Sequence, residues 1–282
     1  MVKMVSIVLP TFNGQKYIRE ALDSITQQSY KNFELIIVDD CSRDETPRII
    51  QEYAKKDSRI RIITNEVNQK LPKSLNIGFS KCIGDYFTWT SDDNLYHRDA
   101  IKKMVEYLEI HKNSNFVYTR EEFIDENGKV IGKREIPNDM DEMYCNNIVS
   151  ACFLYRKRVH EELGGYNIEK FLIEDYDFFR RVYVKYGMGY ISDILYSYRR
   201  HSGSLSETKM IEVRKRKIAL LEESLNEVLV DEIRNKIYRE LSDSYYEISD
   251  LYKEQLIKNK SQEYNKLRRL KMCNVIRNFF KK

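Results

Sequence analysis

Long apolar runs, paired cysteines and clustered glycines are all scarce in this sequence, and each scarcity closes off a class of protein. No stretch approaches the roughly 18 to 20 apolar residues that a bilayer span needs, and the N-terminus runs straight into a strand-like segment instead of a signal peptide's apolar core. A soluble or peripheral protein is expected. The five cysteines (Cys41, Cys82, Cys145, Cys152, Cys273) are scattered without C-x-x-C spacing. An odd, dispersed set argues against a disulfide framework or a zinc site, and it fits a reducing cytoplasm. There are only 10 glycines, and no G-x-G-x-x-G follows a strand, which excludes a dinucleotide-dependent dehydrogenase. Proline is absent beyond Glu207, and there is neither an internal repeat nor a low-complexity linker.

What is present suffices for one large domain, or one domain and a smaller appendage: 282 residues, 42% of them hydrophobic. Charged residues make up 33%, with the excess in the C-terminal third. Net charge is +4, unevenly spread. Ile257 to Lys282 carries nine Lys or Arg against one Glu, which leaves the other 256 residues at −4. A basic tail on an acidic body has two readings, a solvated helix end or a segment that meets an anionic surface.

The pattern along the chain alternates strand and helix. Val5 to Leu9 is a buried strand closed by Pro10, and Thr11-Phe12-Asn13-Gly14 is a turn. Tyr17, Ile18, Ala21, Leu22 and Ile25 recur at helical spacing. Phe33 to Val38 is a second strand ending at Asp39-Asp40, followed by a helix that Ser42 and Asp44 are placed to cap. Strands follow at Ile60 to Thr64 and at Tyr86 to Trp89, the latter ending at Ser91-Asp92-Asp93. Helices are expected at Leu75 to Cys82 and Ile101 to Ile110. This βαβαβαβα order predicts an α/β fold with a mostly parallel sheet flanked by helices. Ligands of such sheets bind at the carboxyl ends of the strands, where both acid pairs fall.

From Asn115 to Ile136 shorter strands flank a turn at Glu126-Asn127-Gly128. Strands at Cys152 to Tyr155 and Ile191 to Tyr198 and helices at Val159 to Leu163 and Asp175 to Tyr186 complete this part. Beyond about Glu207 the pattern is helical throughout.

Each acidic cluster admits a plain reading beside a chemical one. One of Asp39 and Asp40 could cap a helix, worth on the order of 1 kcal/mol, while a carboxylate there could equally accept hydrogen bonds from a base or ribose. Asp92 and Asp93 repel each other unless a donor or cation lies between them, so they are either an Asx-bonded turn or a seat for a hard divalent ion and its phosphate. Glu174, Asp175 and Asp177 suit a helix first turn electrostatically and also suit a general base. His201 is a structural imidazole or a metal ligand.

The segment VSIVLPTFNGQKYIREALDSITQQSYKNFELIIVDDCSRDET closely resembles family-two glycosyltransferases of the GT-A fold. NIGFSKCIGDYFTWTSDDN, ELGGYN, EDYDFFRR and YRRHSGSLS follow in the same family order, so the likeness runs from about Met4 to Ser206. It implies an inverting transferase that moves a sugar from a nucleotide-diphosphate donor, usually UDP-linked, to a hydroxyl of a glycan or lipid-linked saccharide. The nucleotide-sugar would be held by Pro10, Thr11, Asn13, Asp39, Asp40, Lys73 and Asp92. Asp93 and His201 would hold Mn²⁺ or Mg²⁺, and Asp175 would be the catalytic base. A donor half over 1–114, an acceptor half over 115–206 and a helical extension over 207–282 are the implied divisions. Two positions depart from the pattern: Ser91 replaces a frequent acid, and Lys70 replaces a frequent glycine.

A sugar nucleotidyltransferase would want a glycine-rich basic loop after the first strand, where Thr-Phe-Asn-Gly offers one glycine. A degenerate binding protein would not need acids at all three places. Lys266 to Lys282 mixes Leu267, Leu270, Val275, Phe279 and Phe280 with seven basic residues, the composition of a segment lying on an anionic membrane or of an oligomer contact. No nucleic-acid module is present. Asn138 to Ser150 is the expected wall of the acceptor site.

Overall fold

The computed structural model describes residues 2–137 and 139–253. Lys266 to Lys282, the basic tail, lies outside the described residues, as does Cys273. The chain forms two compact units, Met1–Lys209 and Met210–Lys282.

The first unit is built on one sheet. Its strands are β1 (Val5–Thr11), β2 (Phe33–Asp39), β3 (Ile60–Thr64), β4 (Tyr86–Trp89), β5 (Leu95–Tyr96), β6 (Phe116–Ile124), β7 (Val130–Lys133), β8 (Phe153–Arg156) and β9 (Gly189–Arg199). They lie in the order β3-β2-β1-β4-β8-β6-β9-β5, with β7 paired to β6. The block β3-β2-β1-β4 is wholly parallel. Every residue of β1 and of β2 is buried. A parallel strand is covered on both faces, so the apolar residues of these runs are continuous and do not alternate with polar ones.

Helices α1 (Ile18–Thr26), α2 (Thr46–Lys56), α3 (Leu71–Phe79) and α4 (Ala100–Ile110) follow β1, β2, β3 and β5 in turn. Ile18, Ala21, Leu22 and Ile25 are the buried stripe of α1, and burial of each large side chain contributes roughly 2 kcal/mol. Asp44 Oδ1 accepts from Thr46 N at 2.9 Å at the start of α2. Ser42, the other expected cap, instead receives Asn13 N on its hydroxyl at 2.9 Å. α3 begins at Leu71, four residues before the expected start, because Pro72 occupies the first turn, where its missing N–H costs nothing.

The second half departs from a simple βα repeat. β8 inserts antiparallel between β4 and β6, while β6 and β9 are parallel. The two-residue strand β5 pairs with β9, Leu95 opposite Ser197 and Tyr96 opposite Tyr196. It was not legible in the sequence, because two residues carry no periodicity. α5 (Lys157–Leu163) stops at Gly164, whose φ of 71° is the left-handed cap that glycine adopts without strain. α6 (Glu174–Tyr186) and α7 (Leu205–Thr208) complete the unit.

Behind β4 and β8, the His160 ring sits among aromatic ones: Phe79 at 4.6 Å, Phe87 at 5.7 Å, and Tyr155, Tyr166 and Phe178 each at 6.3 Å between centroids. Burial, with the Arg181 charge adding, lowers the His160 pKa to about 4. The unfolded chain takes up this proton near pH 6.5 and the folded chain near 4. The linked stability is therefore full above pH 6.5 and is lost as pH falls toward 4, by up to about 3 kcal/mol. The melting temperature should fall across that window in thermal scans, and His160→Phe should flatten that part of the curve. An unchanged slope in the variant would count against this assignment.

The second unit contains α8 (Met210–Glu227) and a further helix over residues 231–253. The pair is tied by Lys217 to Glu240, by Arg214 to Glu247 at 3.1 Å and by Tyr245 Oη to Glu222 at 2.8 Å. No helix among the described residues is long and apolar enough to cross a membrane.

Candidate active site

The two acid pairs stand at the carboxyl ends of β2 and β4, the strands on either side of β1, where the loops after β1, β2 and β4 converge. Asp39 and Asp40 are buried, at 1% and 5% exposure, and their environments differ. Asp40 accepts three bonds: Asn65 Nδ2 at 2.8 Å, Gln69 N at 2.7 Å and Lys70 N at 2.9 Å. Its carboxylate thereby pins the loop that leads into α3. Asp39 accepts Ser42 N at 3.1 Å and keeps more of its acceptor capacity. Asn13, at φ 55°, is locked to the same region, its side-chain oxygen accepting Arg43 N at 2.8 Å. Pro10 is the buried penultimate residue of β1, and Lys73 is exposed on the first turn of α3.

Lys70 opens α3 at φ 66° and ψ 163°, a conformation normally left to glycine. Asp40 Oδ2 and Asn68 Oδ1 both accept the Lys70 N–H and hold the loop there, and the lysine Nζ lies 5.3 Å from the Phe171 ring centroid, beside the Asp175 loop. Relief of that strain should outweigh the lost cation–π contact and the greater freedom of an unfolded glycine. Lys70→Gly is thus expected to stabilise the protein by about 1 kcal/mol, raising the melting temperature by roughly 2–4 °C. A lower melting temperature would contradict it.

Thr11 Oγ1 donates to Asp92 Oδ2. Gly14 packs so closely there that a Cβ would overlap both Asp92 and Thr11, which is why this turn requires its one glycine. Burial, and then the Asp93 charge, push the Asp92 carboxyl up to about 7. Asp93 Oδ2 contacts His201 Nε2 at 3.0 Å. The second oxygen, Asp93 Oδ1, is buried without a hydrogen-bond partner. The β5–β9 pairing creates this contact, since it aligns the chain just before Leu95 with the chain just after Ser197. Among the described residues no group of three or more His, Cys, Asp or Glu is placed to hold a metal.

Asp175 stands on the first turn of α6, half-buried. Burial raises its pKa. The Tyr176 N–H, the Arg134 charge and the Asn147 amide oppose that rise without cancelling it. The other two acids of the cluster are structural. Glu174 accepts Leu172 N at 2.7 Å, and Asp177 pairs with Arg181 at 2.9 Å. Tyr198 is half-buried on β9. Burial holds its phenol above the usual range against the Ser206 hydroxyl, and the charges of Asp93, Glu121 and Asp175 add to the rise. Hydrogen bonds thus link Thr11 to Asp92 and Asp93 to His201, while Asp175 is engaged by Asn147.

Arg199 is 1% exposed and clamps the Asp92-Asp93 loop. Its Nε donates to the Asp93 carbonyl at 2.9 Å, its guanidinium pairs with Glu20 at 2.8 Å, and it lies 4.5 Å from the Tyr17 ring centroid. Arg199 precedes His201 in the YRRHSGSLS segment, and Asn147 lies within the 138–150 segment expected to wall the acceptor site, but neither these residues nor Tyr198 and Glu121 are singled out by the sequence. An isolated polar residue in a strand or loop carries no pattern that marks it.

The family model described as Glycosyl transferase family 2 matches residues 6–164. The chain belongs to that family. Among curated relatives, EpsE of Bacillus subtilis, named as a glycosyltransferase, is 33% identical to this family 2 chain over 205 residues, covering 70% of it and 73% of EpsE. A Sinorhizobium fredii relative is 28% identical over 207 residues, and there the chain spans only 23% of the relative's length. Among solved structures, Staphylococcus aureus TarS 1–349 in complex with UDP-GlcNAc superposes with a TM-score of 0.67 at 20% identity, over 86% of this chain and 73% of that one. The Pyrobaculum calidifontis mannosyltransferase PcManGT, in complex with GDP-Man and Mn²⁺, gives 0.61 at 16% identity, over 91% and 80%. These likenesses establish the GT-A architecture of this family 2 chain.

Proposed function

We propose that the unit Met1–Lys209 is an inverting glycosyltransferase that moves a sugar from a nucleotide-diphosphate donor, UDP-linked, to a hydroxyl of a glycan or lipid-linked saccharide. One observation carries the reading. At the end of the parallel block Asp93 meets His201 Nε2 at 3.0 Å and keeps its other carboxylate oxygen buried without a partner, a seat that asks for a cation. The UDP-GlcNAc and GDP-Man complexes of TarS and PcManGT support the donor class.

Pro10, Thr11, Asn13, Asp39 and Asp92 line the nucleoside side in this reading. Asp39 is the better ligand contact, and Asp40 shapes the loop. Lys73, exposed on the first turn of α3, is the cation assigned to the diphosphate in this reading. Asp93 and His201 fit Mn²⁺ or Mg²⁺. A buried carboxylate oxygen without a donor is costly unless a cation meets it, and ions held by one or two protein groups complete their shell with phosphate oxygens and water. A bound divalent ion supplies charge neutralisation to the departing nucleoside diphosphate. Asp175 accepts the acceptor hydroxyl's proton as that oxygen bonds to the anomeric carbon from the opposite face. The bond from that carbon to the phosphate oxygen breaks, and its electron pair leaves with the nucleoside diphosphate.

The direct test is release of nucleoside diphosphate from UDP-glucose, UDP-galactose, UDP-GlcNAc and GDP-mannose, with and without Mn²⁺. Turnover of at least one donor that depends on added metal is expected. Equal turnover in chelator would overturn the metal assignment, and failure to turn over or bind any donor would overturn the transferase reading.

A further inference from the structure

The loop between the single helical turn Met140–Tyr144 and β8 carries a side chain that the roles assigned above leave unexplained. Asn147 Nδ2 donates to Asp175 Oδ2 at 3.1 Å. Its other polar atom, Oδ1, is buried and accepts no hydrogen bond. An acceptor left unpaired out of water is costly and rare in a native protein. The segment that carries this amide is anchored at both ends. Glu121, fully buried on β6, takes Ala151 N on one oxygen at 2.8 Å and Arg134 Nε on the other at 2.7 Å. Arg134 in turn reaches the Asn147 carbonyl oxygen at 3.4 Å. Both ends of the segment are therefore held by one buried carboxylate, and the amide is fixed against the base.

The arrangement places two acceptors side by side, Asp175 and Asn147 Oδ1, and asks for two donors. A single attacking hydroxyl has one proton, and that proton goes to Asp175. We propose that Asn147 positions the acceptor by accepting a hydrogen bond from a second hydroxyl adjacent to the one that attacks. The acceptor class is then a sugar or polyol with neighbouring hydroxyls, in place of an isolated alcohol. This rests on Asp175 being the base. Sites built to receive a hydroxyl discriminate against ligands that lack it, because the protein acceptor is again left unpaired.

The test uses the full chain, Mn²⁺, the donor turned over fastest in the panel above, and the methyl glycopyranosides of glucose, galactose and mannose with their mono-deoxy analogues. The wild type should transfer to at least one parent glycoside. Removal of the hydroxyl next to the glycosylated one should lower kcat/KM about tenfold or more. In Asn147→Ala the parent should fall to the level of that deoxy analogue, and the ratio between the two should collapse to near one. A ratio that survives in the variant, a wild type indifferent to the deoxygenation, or transfer to none of these glycosides while the donor is still hydrolysed would each overturn the inference. Asp175→Asn, run in parallel, separates the two readings. If it transfers like wild type, the base assignment has failed. If it is inactive while the deoxy ratio persists in Asn147→Ala, only the role of Asn147 has.

Discussion

Replacing Asp175 by asparagine should cut sugar transfer by about 10²–10⁴-fold, the usual contribution of a positioned general base. The variant keeps the size and the hydrogen-bonding reach of the side chain, and Tyr176 N and Asn147 remain as neighbours. The KM for the nucleotide-sugar should therefore change little while kcat falls. A second signature comes from pH. The base must be ionised to accept a proton, and burial raises its pKa above the ordinary aspartate value. In wild type, kcat/KM should fall on the acid side along a limb that lies above the normal aspartate range near 4. Asp175→Asn should remove that limb. Turnover near wild type, or an unchanged acid limb, would sink the base assignment.

Asp93→Ala is the second large effect. Loss of its two oxygens removes the unpaired buried acceptor and the partner of His201 together. Turnover should fall at least about 10²-fold, and addition of Mn²⁺ should no longer stimulate it. A readout independent of turnover is available. A ligand that binds only the folded protein stabilises it by RT ln(1 + [L]/Kd). Wild type should therefore melt at higher temperature in Mn²⁺ with UDP than in UDP alone, and Asp93→Ala should show no such increment. The substitution also removes a charge that raises the Asp92 pKa, so Asp92 should ionise at lower pH in the variant. Persistent metal stimulation in Asp93→Ala would move the metal site elsewhere.

The donor side of the site was legible because it is local. A continuous apolar run means a strand buried on both faces, and polar residues that follow such a run must lie at its end. That reasoning placed Asp39-Asp40 and Asp92-Asp93 at the strand ends where they stand. Where it fell short, the missing information was long-range. Asp40 reads in sequence as half of a binding pair, yet three donors from residues 65–70 engage it, and only folding brings that loop over. Ser42 reads as a helix cap but holds Asn13 of another loop.

The sequence by itself determined the alternation of strand and helix, the family, and which acids fall at strand ends. Apolar periodicity and motif spacing are properties of short stretches, and they survive without any knowledge of neighbours in space. The tertiary structure decided what each of those acids touches. The pairing of the two-residue β5 with β9 brings His201 to Asp93, and Gly14 packs against Asp92 too closely for any side chain. The buried Glu121 clamps Asn147 against Asp175. Each of these depends on which groups lose water together and which find partners when they do, and a residue's solvation is fixed by the whole fold.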